Sequence, residues 1–371
     1  VTSDDHAAEA TTRARLPRRT VAGVSAFGVA LALLVVSCFL PTDYVLEEPG
    51  PVYNTIGEVT TADDEIVPLI SVSGADTYDT SGALDLTTVQ VRGDREHRIS
   101  WVQLALAWFD RSTAILPIDS VYPQGETAEQ RDAENAVMMT DSQSAASAAA
   151  LLQLGYDVPA QLTVAGLVDG SPAEGILQEG DVITAAGGEA LESTDDLRSR
   201  IADLDGAPVA LTIDRDGEEQ QVEVTPTKQE IDGSESWALG VSLTESYDLP
   251  IDVTIQLDDV GGPSAGMMFA LGIIDELTPG EMTGGEHIAG TGTITADGAV
   301  GAIGGIRQKL YGASRDGADY FIAPASNCDE VVGHIPDGLQ VTPVSTLDEA
   351  EQAVEAIADG NADSLPACTA G

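Results

Sequence analysis

The 371-residue chain carries 16 Lys and Arg against 62 Asp and Glu, a formal net charge of −46. That balance excludes nucleic acid as a partner, because phosphate contacts need clustered cations, and the length allows two modest domains or one large one. Four scattered histidines (His6, His97, His287, His334) and three cysteines (Cys38, Cys328, Cys368) show no metal-ligand spacing, so no metal and no other cofactor is expected.

Residues Val21 to Leu40 are nearly all apolar, with Arg13, Arg15, Arg18 and Arg19 just before them and Asp43, Glu47 and Glu48 just after. Twenty residues at the helical rise span a hydrocarbon core. The flanking charges put residues 1–20 in the cytoplasm and everything after Leu40 outside, a single-pass anchor in the cell membrane. A cleaved signal peptide competes with that reading, but the run is long for one and lacks a small-x-small cleavage site. Cys328 and Cys368 then lie on the oxidising side and are expected to form a disulfide.

Beyond the anchor, Glu48 to Gly57 is rich in Pro and Gly and reads as extended chain leaving the membrane. Leu84 to Val91 alternates, with Thr and Val enriched, and predicts a strand. Ile99 to Asp110 has Trp101, Leu104 and Trp108 at helical spacing; such a stripe is usually core, with a membrane-surface helix as the competing reading. Gln124 to Glu134 is polar and acidic, an exposed loop or a helix start. Thr140-Asp141-Ser142 opens an Ala-rich helix that runs to Leu154 and is stopped by Gly155.

From about Gly155 to Lys228 the texture changes. Leu162 to Leu167 is apolar, a helix is expected over Asp195 to Leu204, and strands over Val209 to Asp214 and Gln220 to Val224. Between them lie Gly170-Ser171-Pro172-Ala173-Glu174-Gly175 and the run Leu177 to Leu191, which contains Gly180-Asp181-Val182-Ile183. This segment resembles a PDZ domain of the bacterial protease-associated type. The resemblance implies binding of extended peptides, often C-termini, by strand addition at a sheet edge. Such domains hold the peptide carboxylate in an apolar-Gly-apolar loop, for which Leu154-Gly155-Tyr156 is a candidate.

Ile251 to Leu257 alternates like a strand, Gly261-Gly262-Pro263 turns the chain, and Ala265 to Ile274 reads as a helix, which leaves Ser264 at the turn. Lys309 follows 45 positions later, behind Gly304-Gly305, in a chain whose one other lysine is Lys228. A serine hydroxyl needs an adjacent base. Arginine cannot serve, but a desolvated lysine can, so the pair suggests a Ser–Lys hydrolase. By itself Gly-Pro-Ser-Ala-Gly is explained equally well by a serine capping a helix.

Thr291-Gly292-Thr293-Ile294-Thr295, Asp297-Gly298-Ala299-Val300-Gly301, Ile303 to Lys309 and Pro324-Ala325-Ser326-Asn327 follow in order. Across Ile251 to Ile357 the chain resembles the proteolytic domain of the Lon family. That resemblance implies Ser264 as nucleophile, Lys309 as base and Thr291 as a supporting hydrogen-bond partner of the lysine. The family's acidic residue directly before the serine motif is replaced by Gly261 and Gly262, with Asp258 and Asp259 further back. No Gly-x-x-x-x-Gly-Lys-Ser/Thr motif occurs, so ATP independence is expected. With Pro49 to Gly57, the chain is similar to membrane-anchored, PDZ-containing Lon-like proteins.

The fold expected is α+β: an N-terminal transmembrane helix and a Lon-type α/β proteolytic domain with a PDZ domain inserted into it. Lon proteolytic domains open with a strand and a long helix, and here Leu84 to Val91 and Ser142 to Leu154 precede the PDZ segment; tandem domains are the runner-up. The division is a tail over 1–20, an anchor over 21–40, and an extracytoplasmic segment over 41–155 containing the first part of the protease fold. The PDZ domain follows over 156–228, the proteolytic domain over 229–360 and a tail over 361–371. The function expected is a serine endopeptidase acting on unfolded or flexible protein segments. A catalytically idle PDZ scaffold or holdase is the alternative, and self-association is compatible with either.

Overall fold

The computed structural model describes residues 18–37, 40–61, 64–123, 125, 127–168, 170–191, 193–231, 234–257 and 260–369. The apolar N-terminal run forms helix α1 (Arg18–Ser37). Among the described residues, no helix is long and apolar enough to cross a membrane. The expected transmembrane helix is therefore not supported by the helices described. Cys38 and Phe39, which continue the apolar run, and Arg13 and Arg15 before it, lie outside the described residues.

The Pro/Gly-rich stretch after it is not a loose spacer. It belongs to an eleven-residue strand, β1 (Tyr44–Asn54). The strand tolerates its prolines because the pairing register shifts between Pro49 and Val52, where a bulge removes the need for their amides. Next come β2 (Ile70–Ser73), β3 (Ala83–Arg92) where the alternation predicted it, helix α2 (Trp101–Ala107) and β4 (Ala114–Pro117). Ser100 and Gln103 close a capping box at the start of α2. The expected stripe is split: Leu104 packs with Leu46, Ile99 and Ala107, while Trp101 and Trp108, with neighbouring Phe109, are exposed.

Helix α3 (Ala128–Gln153) starts well before Thr140. Thr127 caps it, with Gln130 reaching back in a capping box, so the acidic stretch to Glu134 is helix rather than loop. Its end is a Schellman motif, in which Tyr156 N–H donates to Leu151 O and Gly155 N–H to Leu152 O. Leu154-Gly155-Tyr156 is thus a helix stop and not a peptide cradle.

The middle of the chain builds its own sheet from β5 (Ala160–Leu167), β6 (Val182–Ala186), β7 (Val209–Arg215), β8 (Glu218–Val224) and β9 (Val241–Tyr247), in the order β8-β7-β6-β5-β9. Helix α4 (Thr194–Asp203) lies in this unit. Leu162, Ile183, Leu197, Leu211 and Ile213 form its separate core. Since β9 pairs with β5 from Val241–Leu167 to Tyr247–Ala160, the unit ends at Tyr247, past the expected limit at 228.

The chain then returns to the first layer through β10 (Asp252–Ile255), which pairs with β2. After it come α5 (Gly266–Leu277), β11 (His287–Gly290), α6 (Ile306–Asp316), β12 (Tyr320–Pro324), β13 (Gln340–Val344) and α7 (Leu347–Ala358). The first sheet runs β13-β12-β11-β3-β1-β4, with β3, β11, β12 and β13 parallel. Its middle therefore joins strands that precede the second sheet in sequence to strands that follow it. Met267, Met268, Phe269, Leu271, Ile273 and Ile274 of α5 are fully buried against Leu84, Leu86, Ile288 and Ile322. A helix apolar all round needs such a setting. Alternation sends Ala289 and Phe321 to the opposite face, where Ile306 and Leu310 of α6 cover them.

Cys328 and Cys368 are joined, with their Cα atoms 5.0 Å apart, which ties the C-terminal segment to the turn after β12. Closing a loop of this size stabilises by about 4 kcal/mol on the chain-entropy account. Cys368→Ser is expected to lower unfolding free energy by roughly 2–4 kcal/mol. Denaturant melts with and without reductant check this; coincident curves for both proteins under non-reducing conditions would contradict it.

Candidate active site

The site forms at the carboxyl end of parallel strand β11, where open α/β sheets gather ligands. Thr291 directly follows β11, Ser264 precedes α5, and Lys309 lies one turn inside α6. The two helices cover opposite faces of the sheet, and their N-termini meet over the strand's end.

Each part is fixed by identifiable contacts. The serine loop is braced by α3: Gly262 N–H donates to Asn135 O at 2.8 Å, and Ser142 Oγ donates to Pro263 O at 3.0 Å. Gly261 is required by that approach, since a Cβ there would stand 2.6 Å from Asn135 Cβ. Gly305 caps α6 with φ +69°, and a Cβ on it would lie 2.6 Å from Val89 of β3, so glycine lets the helix start against the sheet. Buried Asn327 clamps Ile303, two residues before Gly305, accepting from its N–H and donating to its O, each at 2.9 Å. That clamp gives the Pro324-Ala325-Ser326-Asn327 motif its physical role.

These constraints bring the three expected residues together. Lys309 Nζ lies 2.7 Å from Ser264 Oγ and 2.8 Å from Thr291 Oγ1, and Thr291 Oγ1 donates to Ser264 O at 2.8 Å. Lys309 is 1% exposed and Thr291 fully buried, while Ser264 is partly accessible. Burial drives the lysine pKa down to about 7, with Glu47 on β1 opposing that shift by a smaller amount. Desolvation likewise raises the Glu47 carboxyl, which Lys309 partly offsets. The amine is therefore a base poised near neutrality beside a hydroxyl it can deprotonate. The cleft in front of it is lined by Val89 to Val91 of β3, Met139 of α3 and Thr254 to Leu257.

Sequence reasoning missed Glu47, Asn135 and Ser142. Glu47 reads from sequence as a flanking charge of the anchor and Ser142 as the opening of a helix, while Asn135 lies in the part of α3 that begins ahead of Thr140. Asp258 and Asp259, the acidic helpers considered from sequence, lie outside the described residues. Away from Ser264 and Lys309, Asp85, His287 and Asp316 come together as potential ligands, and a direct hydrogen bond between His287 and buried Asp85 accounts for that pair.

A family model for the Lon protease (S16) C-terminal proteolytic domain matches residues 241–356, and one for the PDZ domain matches residues 133–225. The chain carries a Lon-type proteolytic domain and a PDZ domain. The Lon protease of Azospirillum brasilense is 33% identical over 134 residues, 33% of this chain and 16% of that protein. That of Bacillus subtilis, Lon protease 1, is 36% identical over 108 residues, 28% of this chain and 14% of that protein. The chain thus spans only about a seventh of the length of the Lon proteases it matches. The PDZ domain of an SdrC-like protein from Listeria monocytogenes aligns with 22% of this chain and 85% of its own at 24% identity and a TM-score of 0.20. The Lon match stops short of β1, β3 and α3, and the PDZ match begins inside α3, yet β1 and β3 share a sheet with β11 and α3 braces the serine loop.

Proposed function

We propose that the chain is a serine endopeptidase with a Ser264–Lys309 dyad, acting without ATP on unfolded or flexible protein segments. The observation that carries this reading is the fully buried Lys309 amine 2.7 Å from Ser264 Oγ. Burying a lysine is costly, and a catalytically idle scaffold gains nothing from it. Neutral Lys309 takes the hydroxyl proton as Ser264 Oγ attacks the scissile carbonyl. The start of α5, two residues on, places the positive end of its dipole beside the developing oxyanion. The protonated lysine then returns its proton to the leaving amine, and a water activated by the same amine hydrolyses the acyl-enzyme. Thr291 orients Nζ and keeps its hydrogen bonding satisfied.

The PDZ domain supplies recognition. Leu239-Gly240-Val241 has the apolar-Gly-apolar pattern of a carboxylate cradle, directly precedes edge strand β9, and has Gly240 at φ +69°. A peptide C-terminus added along β9 would end there. The proteolytic and PDZ parts act outside the cell membrane, with Val21 to Leu40 as anchor. Supporting that side of the reading are the Cys328–Cys368 disulfide, which persists in oxidising compartments, and an α1 whose apolar side chains meet no protein core.

Wild-type protein is expected to cleave an unfolded protein substrate with no nucleotide present, and Ser264→Ala to leave it intact. Cleavage that requires ATP, or that survives in Ser264→Ala, would count against the proposal.

A further inference from the structure

Three large side chains of α2 and its end break the usual burial rule. Leu106 is 69% exposed, Trp108 76% and Phe109 86%, and Trp101 at the helix start is 50% exposed. The chain has only three tryptophans, so two of them stand in one exposed patch. The helix inner side is satisfied, since Ala107 and Ile99 pack with Leu46 and Leu104. The patch is not a gap in the core.

Its position says what covers it. The residues leaving α1 are strapped to the start of α2: Trp101 N–H donates to Leu40 O at 3.4 Å, Thr42 N–H donates to Ile99 O at 2.8 Å, and Pro41 bridges Ser100. Helix α1 also abuts α2. On α1, Phe27, Val29, Leu31, Leu33, Val35 and Val36 are all 51–70% exposed. At 100° per residue these positions surround the helix rather than mark one face. A protein partner or a second copy would cover one face; a surface apolar on every side fits lipid. Tryptophan beside such a helix is suited to the headgroup region, where its ring is sheltered and its N–H stays wet. Arg98 and Arg111 flank the patch and are exposed, Arg98 paired with Asp43 and Arg111 next to Asp110 in sequence.

We propose that α2 with Trp108 and Phe109 is an interfacial foot that inserts into the headgroup region of the bilayer and fixes the proteolytic domain close to the membrane surface. The foot rests on the anchoring reading above, in which Val21 to Leu40 is in the membrane. The test uses the full chain reconstituted in phosphatidylcholine/phosphatidylglycerol vesicles, with and without lipids brominated just below the headgroup. The third tryptophan, Trp237, hydrogen-bonds Asp205 in the PDZ domain and serves as internal reference. Protein floating with the vesicles should lose up to about two thirds of its tryptophan emission to the brominated lipid, the share of its tryptophans in the foot. W101F/W108F should float equally and show no quenching. Flotation without quenching, or quenching that persists in W101F/W108F, overturns the foot alone. Failure to float overturns the anchor and the foot with it.

Discussion

Lys309→Met is expected to reduce peptide hydrolysis at least about 10³-fold and at the same time to make the protein more stable near neutral pH. Methionine keeps the length of the stem and discards the amine, so the cavity stays filled. Arginine is the poorer test, because it would place a permanent charge in a fully buried site. The stability gain follows from linkage. Lys309 titrates near pH 7 when folded and near 10.4 when unfolded. Between those values the unfolded chain holds a proton that the folded chain lacks, so wild-type stability rises with pH, by at most about 1.4 kcal/mol per pH unit. Below pH 7 the full cost of burying the amine is present, and above about pH 10 it is gone. Glu276, raised to about 7 by burial and neighbouring Asp275, has finished titrating by pH 8. The window from there to pH 10 therefore belongs mainly to Lys309. Urea melts across it should show a slope in wild type and almost none in Lys309→Met; equal slopes would remove the depressed lysine pKa from the account.

Excising residues 160–247 and closing the gap with a short Gly/Ser linker is expected to leave a cooperatively folding domain that keeps the dyad. Ala160 and Tyr247 are paired across the ladder of β5 and β9, so the cut ends lie only about 5 Å apart. Val158 and Ile251, just outside the cut, remain to fill their shared cluster. Excision at the limit read from sequence, residues 156–228, should fare worse, because it leaves β9 without its partner. Starting the chain at Tyr156 should abolish the cooperative transition altogether. That truncation removes β1 and β3 from inside the first sheet, and removes α3, which packs on α5 and braces the serine loop. Circular dichroism melts of the three variants check this, and a stable, active fragment lacking everything before Tyr156 would sink the interleaved arrangement.

Elements with a strong period were legible. The alternation of Leu84 to Val91 became β3. Strands over Val209 to Asp214 and Gln220 to Val224 became β7 and β8. The pairing of Ser264 with Lys309 in space was legible because glycine turns and a near absence of lysine mark both residues. What failed were long-range effects. Proline and glycine in β1 are local signals for a loop, overridden by a bulge and by pairing on both edges with β3 and β4. Val241 to Tyr247 alternates weakly, and only its pairing with β5 assigns it to the PDZ sheet. The spacing of Trp101, Leu104 and Trp108 gives a helix face but not what that face meets. Glu47 acts on Lys309 through space from a strand far away in sequence, which no local pattern encodes.

The most direct test of the dyad is covalent labelling with a fluorophosphonate as a function of pH. The account predicts a single adduct on Ser264, a labelling rate that rises with pH to half its plateau near pH 7, where the buried amine becomes neutral, and no labelling in Lys309→Met. An adduct mapped to another residue, or a rate on Ser264 that is flat with pH and unchanged in Lys309→Met, would contradict it.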